Sequence, residues 1–304
     1  MSMTREHTDQ AETLRAMQNQ MGESGRSGNG APAPPRVFTI TSGKGGVGKT
    51  AVVANVALAL AKLGKKVLVI DADLGLANID VVFGLTPRYN LNHFFKGERR
   101  LDEIMVDGPQ GIRILPAGSG IQQFTHLDGT QQLRFMEELD FFNGQFDMVL
   151  IDTEAGISEN VTFFSVAAQD ILMVTTPDPT AITDAYALMK LLSTRYHQKH
   201  FSLIVNSVAN TDEGLDVYQK LTTVANRYLS ISIDYLGCIP FDKRLRESIR
   251  RQQPMLELYP GSKASAAFGN FAKSLASLPE TCRPKGTIQF FWKQMLSLNT
   301  EDLP

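Results

Sequence analysis

The sequence predicts an α/β protein with a doubly wound, mainly parallel sheet and helices on both faces. Three observations carry that reading. Seven near-continuous Val/Ile/Leu runs recur along the chain, as strands buried on both faces do. Helical patterns separate them, which gives right-handed βαβ crossovers. Polar residues gather just after several runs, at the carboxyl ends where such sheets bind ligands.

In order, the runs are 37–41, 66–71, 112–115, 148–152, 171–175, 202–206 and 233–237. The first opens onto Gly43-Lys44-Gly45-Gly46-Val47-Gly48-Lys49-Thr50, which fits G-x-x-x-x-G-K-[ST], and then onto an apolar helix pattern from Ala51. Strand, glycine loop and helix together form the context of a phosphate loop. The glycines let backbone N–H groups curl inward around an anion, and the helix start adds its positive dipole end. The stretch from Gly43 to Ala51 is expected to bind a nucleotide, with Lys49 on the terminal phosphates and the Thr50 hydroxyl on Mg²⁺.

The second run ends in Asp71-Ala72-Asp73. Carboxylates at i and i+2 after a strand point to one side. Taken alone, this is either a polar strand-to-loop transition or part of a site. Asp80 reads as a helix cap or a further residue of the same segment, with the cap favoured. The fourth run closes on Asp152, followed by Thr153-Glu154-Ala155-Gly156. An acid at the end of an apolar strand suits a Mg²⁺ ion that keeps part of its hydration shell. Asn206 ends the sixth run, and Pro240-Phe241-Asp242 follows the seventh; in isolation Asn206 reads as a turn or cap residue as readily as a site residue.

Composition sets the frame. The 304 residues suffice for one sizeable core with tails. The expected organisation is an N-terminal helix over 1–21, a Gly/Ser/Pro linker over 22–36, a nucleotide-binding domain over 37–280 and a tail over 281–304. A net charge of −2 gives no global argument for nucleic acid. Cys238 and Cys282 form no metal-ligand pattern, so a reduced, cytoplasmic setting is expected. The polar N-terminus does not read as a signal peptide, and no apolar run is long enough to cross a bilayer.

Lys44 is one cation more than an ordinary phosphate loop needs. The segment from Lys44 to Thr50 resembles the deviant Walker A motif of the MinD/ParA ATPases. Asp71-Ala72-Asp73-Leu74-Gly75-Leu76-Ala77-Asn78 resembles that family's switch I pattern, D-x-D-x-G-x-x-N. The resemblance implies hydrolysis of ATP to ADP and phosphate, with Lys44, Lys49 and Asp73 as the catalytic set. It implies an ATP-dependent homodimer in which Lys44 reaches the partner's ATP. Asp73 then orients the attacking water, while Thr50 and Asp152 hold Mg²⁺ and Asp71 lies near the metal. Asn206, Pro240, Phe241 and Asp242 are implied to hold the adenine. No Asn-Lys-x-Asp guanine signature is visible, which also favours ATP. Family members mostly carry a small or apolar residue where this chain has Glu154, and the role of that acid stays open. The loop Thr176-Pro177-Asp178-Pro179 is expected beside the dimer interface.

The tails extend the resemblance. Wound at 100° per residue, Ile288, Phe291, Trp292, Met295, Leu296 and Leu298 share one face. Such a helix either docks on its own core or lies on a membrane surface. MinD-type proteins carry a targeting helix here, which implies reversible peripheral attachment to the inner face of the cell membrane. Asp9-Gln10-Ala11-Glu12-Thr13-Leu14-Arg15 matches the D-Q-A-x-x-L-R segment of the FlhG/FleN-type flagellar regulators within the family. That implies partner contacts by Asp9, Gln10, Ala11, Leu14 and Arg15 to an FlhF-type GTPase, and a FleQ-type transcription regulator as a second partner. Two other branches compete: septum-site MinD, which lacks this N-terminal segment, and DNA-partitioning ParA, which needs a basic DNA surface. No direct sequence-specific nucleic acid binding is expected.

Overall fold

The computed structural model describes residues 35–75, 78–118, 129–142 and 144–278. The N-terminal residues Asp9, Gln10, Ala11, Leu14 and Arg15, the linker through residue 34, and the C-terminal residues Ile288, Phe291, Trp292, Met295, Leu296 and Leu298 lie outside the described residues.

Eight strands form one sheet: β1 (Arg36–Ser42), β2 (Val67–Ala72), β3 (Val106–Asp107), β4 (Arg113–Leu115), β5 (Met148–Ala155), β6 (Asp170–Thr175), β7 (His200–Val208) and β8 (Ser232–Pro240). Their order is β3-β4-β2-β5-β1-β6-β7-β8. All neighbours run parallel except β3, which is antiparallel to β4. The seven apolar runs are β1, β2 and β4 to β8. The eighth strand, β3, has two residues, too few to carry a period, so the sequence reading misses it.

The helices are α1 (Lys49–Lys62), α2 (Ile79–Phe83), α3 (Leu91–Phe95), α4 (Leu101–Ile104), α5 (Gly129–Asp140), α6 (Glu159–Ala167), α7 (Pro179–Tyr196), α8 (Thr211–Tyr228), α9 (Lys243–Arg250), α10 (Met255–Leu258) and α11 (Lys263–Ser277). They cover both faces, which is why every residue of β2 is buried. One core layer centres on Phe94, Phe135 and Phe164, whose rings meet edge-on at 6.0 and 6.2 Å. The other sets α1 against the sheet and under Phe268 and Phe271 of α11.

Helix α1 is apolar nearly all round and buried from Ala51 to Leu60, as a helix sandwiched between layers must be. Its one buried amide, Asn55, is hydrogen-bonded at both its nitrogen and its oxygen. Its Nδ2 donates to the Ala51 carbonyl at 2.8 Å and its Oδ1 accepts the Leu256 N–H at 2.8 Å. This fixes the start of α10 on α1, and so seats the helix that begins at the phosphate loop. One expectation changes: the cap of α2 is Asn78, and Asp80 sits in the first helical turn, accepting the Val81 N–H at 2.8 Å. An acid there still complements the helix dipole.

Asn55→Ala leaves the buried Leu256 N–H without its acceptor. The expected cost is about 1–3 kcal/mol. Urea unfolding checks it: the midpoint should fall with an unchanged slope.

Candidate active site

Strand β1 is where the connections diverge: β5 and β2 lie on one side, β6 to β8 on the other. Such a switch point opens a crevice at the strand ends. The glycine loop fills it. Gly46 (φ +78°) and Gly48 (φ +93°) take left-handed backbone that other residues avoid, and so turn the loop. Gly43 serves packing instead. A Cβ there would stand 2.1 Å from the Asp184 carbonyl oxygen of α7. Helix α1 starts at Gly48 with no side-chain cap, so its first amides are free for an anion.

Lys49 is buried, 8 % exposed, and Asp152, Asp73 and Glu154 surround its charge. Burial lowers its pKa, and the three acids partly restore it. Asp71 and Asp152 are register partners on β2 and β5, each 1 % exposed. Burial pushes Asp152 up to about 7, against the pull of Lys49 and a hydrogen bond from Thr50. Burial and the neighbouring Asp152 likewise push Asp71 well above the usual carboxylate range.

The two acids differ in their partners. Asp71 accepts backbone N–H bonds from Asp73 and Asn78 at 3.1 Å and from Ile79 at 3.2 Å, so it folds the following segment around itself. Asp152 keeps its Oδ1 without a partner. A buried, unpartnered carboxylate oxygen beside a threonine hydroxyl fits a hard divalent cation. Thr50 and Asp152 could hold one, with Asp71 adjacent.

Lys44 behaves differently from Lys49. Its side chain is 37 % exposed, and its ammonium donates to Asp178 Oδ2 at 2.9 Å and to Thr180 Oγ1. Asp178 caps α7, accepting the Thr180 N–H at 2.9 Å. The Lys44 ammonium, with the Thr180 donors, holds the Asp178 carboxyl down at about 2.

In the loop after β5, the Gly156 N–H donates to the Ser42 carbonyl at 2.9 Å. The Ser158 hydroxyl, the cap of α6, donates to Glu154 Oε1. At the far end, Asn206 donates from Nδ2 to the Val47 carbonyl at 2.7 Å, tying β7 to the phosphate loop. Pro240, Phe241 and Asp242 line an open cleft of about 560 Å³ together with Lys243, Arg244, Gly261, Ser262 and Lys263. Asp242 caps α9 and accepts Arg244 through both oxygens, at 2.9 and 2.8 Å. Sequence reasoning finds neither the Gly261–Lys263 wall nor the Asp178–Thr180 partner of Lys44. Each depends on a contact between distant segments.

Glycine loop, inward lysine and strand-end acids define a P-loop ATPase. The chain belongs to the ParA family of these proteins: residues 35–276 match the family model described as the NUBPL iron-transfer P-loop NTPase. It is 41 % identical over 267 residues to the antiactivator FleN of Pseudomonas aeruginosa, covering 88 % of this chain and 95 % of that protein. It is 38 % identical over 266 residues to the flagellum site-determining protein YlxH of Helicobacter pylori, covering 86 % and 90 %. Among solved structures it resembles MinD with Mg-ADP from Pyrococcus horikoshii (TM-score 0.66, 25 % identity, 80 % and 96 % covered). It also resembles the MinC:MinD complex of Aquifex aeolicus (TM-score 0.66, 29 % identity, 82 % and 98 % covered). The chain is thus a MinD-like ATPase with flagellar relatives, and among its described residues no helix is long and apolar enough to cross a membrane.

Two glycines give a contrast. Gly43→Ala forces the loop off α7, at an expected cost of about 1–3 kcal/mol. Gly45→Ala meets only the Ala155 Cβ at 4.0 Å, an ordinary contact, and should change stability by less than about 0.5 kcal/mol. Thermal unfolding without nucleotide compares them.

Proposed function

We propose that this chain is an ATP-driven dimerisation switch that controls the number and placement of flagella from the inner face of the cell membrane. Lys44 carries the proposal. It belongs to the phosphate loop, yet it extends to the surface and rests on Asp178 and Thr180. Lys49 already serves the chain's own phosphates, so an outward lysine suits the ATP of a second copy. The Lys44–Asp178 pair is exposed on both sides and therefore weak. Exchanging it for a phosphate is favourable.

Within the site, the amides from Gly43 to Ala51 and the Lys49 ammonium bind the phosphates. Asp73 orients the attacking water, and Asp71 anchors the segment that carries it. Mg²⁺, when held by Thr50 and Asp152, neutralises charge on the phosphate oxygens. Asn206, Pro240, Phe241 and Asp242 hold the adenine. Beyond the ATPase, Asp9, Gln10, Ala11, Leu14 and Arg15 contact an FlhF-type GTPase, and a FleQ-type regulator is the second partner. The face formed by Ile288, Phe291, Trp292, Met295, Leu296 and Leu298 lies on the membrane. One copy binds there weakly, and dimerisation doubles the anchors. The names of the relatives, an antiactivator and a flagellum site-determining protein, support this setting.

The test uses the full chain with ATP, Mg²⁺ and anionic vesicles. By light scattering, the wild type should dimerise and then part as ATP is consumed. Asp73→Ala should stay dimeric and vesicle-bound, and Lys44→Ala monomeric. A stable ATP dimer of Lys44→Ala contradicts the switch. The ATP-bound wild type should also stimulate an FlhF-type GTPase, and Gln10→Ala should not; a wild type without effect removes the flagellar part.

A further inference from the structure

Strand β7 carries a strained residue next to the site. Ser207 has φ +63°, in the left-handed region that non-glycine residues seldom enter. The cause is a bulge. Asn206 pairs with Ile239 and Val208 with the adjacent Pro240, so Ser207 is one residue too many for β8. It stands exposed between two buried neighbours. The bulge changes which face the strand presents. From Ile204 to Asn206 the register is regular, and side chains alternate. Ile204 belongs to the core layer that contains α1, and Val205 to the opposite layer, so Asn206 returns to the α1 side. In a regular strand Val208 would follow it there, yet Val208 lies in the opposite layer with Val205. Asn206 is therefore the last side chain of its row, 6 % exposed, and it ends on the phosphate loop.

There its Nδ2 donates to the Val47 carbonyl at 2.7 Å. In a trans peptide the carbonyl and the following N–H point in opposite directions. A Val47 carbonyl held on Asn206 thus turns the Gly48 N–H away from Asn206. Without that hold the peptide turns over easily, because a flip changes the φ of Gly48, and glycine accepts either sign. The hold itself also needs glycine: a Cβ at Gly48 would stand 2.4 Å from Asn206 Nδ2. We propose that Asn206 is a positioning residue for the polyphosphate, acting through the Val47–Gly48 peptide. It keeps the Gly48 N–H facing the bound phosphates, and the strained turn at Ser207 aims it. This inference rests on the reading of Gly43 to Ala51 as the phosphate cradle. It goes beyond any contact of Asn206 with adenine, because it acts where no base is present.

The test is calorimetric titration of the full chain with Mg²⁺ and either inorganic triphosphate, which has no base, or ADP. Two variants remove the donor: Asn206→Leu, close to asparagine in volume, and Asn206→Ala. Thermal unfolding without ligand first sets a temperature at which each variant is folded. At that temperature both should bind triphosphate about fivefold more weakly than the wild type, the effect of one lost hydrogen bond. ADP should weaken by at least the same factor. A merely structural role lowers the unfolding midpoint but leaves the triphosphate affinity of the folded protein unchanged. A role confined to the base weakens ADP alone. Triphosphate bound by both variants as tightly as by the wild type therefore overturns the inference, and the site assignment stands. A wild type that binds neither ligand overturns both.

Discussion

Asp71 and Asp152 stand opposite one another at the ends of adjacent parallel strands, both almost fully buried. Two carboxylates so placed repel one another and have lost their water, and each effect favours protonation. Lys49 offsets part of this, but its own burial works against its charge. The chain therefore keeps three ionisable groups in a small dry volume. In the arrangement seen, one Asp152 oxygen stays without a partner. The group that satisfies them must bring positive charge to the acids and negative charge to the lysine. A metal–phosphate pair does both.

The rest of the architecture serves that arrangement. Parallel strands bring the acids together because Asp71 of β2 is in register with Asp152 of β5. The loop after β1 brings Lys49 and Thr50 because α1 is a rigid, buried rod pinned through Asn55. Two contacts then lock the loop from outside, the Gly43 backbone against α7 and the Asn206 amide on the Val47 carbonyl. The acids also organise the chain just beyond them. Asp71 gathers three backbone N–H groups and so shapes the segment bearing Asp73. Asp178 caps α7 and at the same time receives Lys44. The Lys44 contact with Asp178 is exposed, while the Asn206 contact with the phosphate loop and the Asp71 bond to Ile79 are buried.

Much of this was legible in the sequence. Apolar runs marked seven strands, because burial on both faces leaves a continuous Val/Ile/Leu signature. The phosphate loop was legible because its chemistry is local: glycines, lysine and threonine act within eight residues of one another. Strand-end acids were legible because each closes a run. The hidden features depend on contacts across the chain. Lys44 and Asp178 are 134 residues apart, and Asn206 and Val47 are 159 apart. No local pattern links them. The engagement of Asp71 with the backbone was hidden for another reason: sequence marks an acid as a possible ligand, but only the fold determines how many amides it has gathered. Asn78 rather than Asp80 caps α2, a difference of two residues that capping preference alone does not resolve.

The central claim is that the buried acid pair is costly alone and becomes favourable with metal and nucleotide. Asp152→Asn tests it most directly, by thermal unfolding with and without Mg-ADP. The account predicts a variant at least as stable as the wild type without ligand, because one half of a repulsive buried pair is gone. It also predicts that most of the Mg²⁺-dependent stabilisation by ADP is lost. A variant less stable without ligand, yet stabilised by Mg-ADP as fully as the wild type, would contradict it.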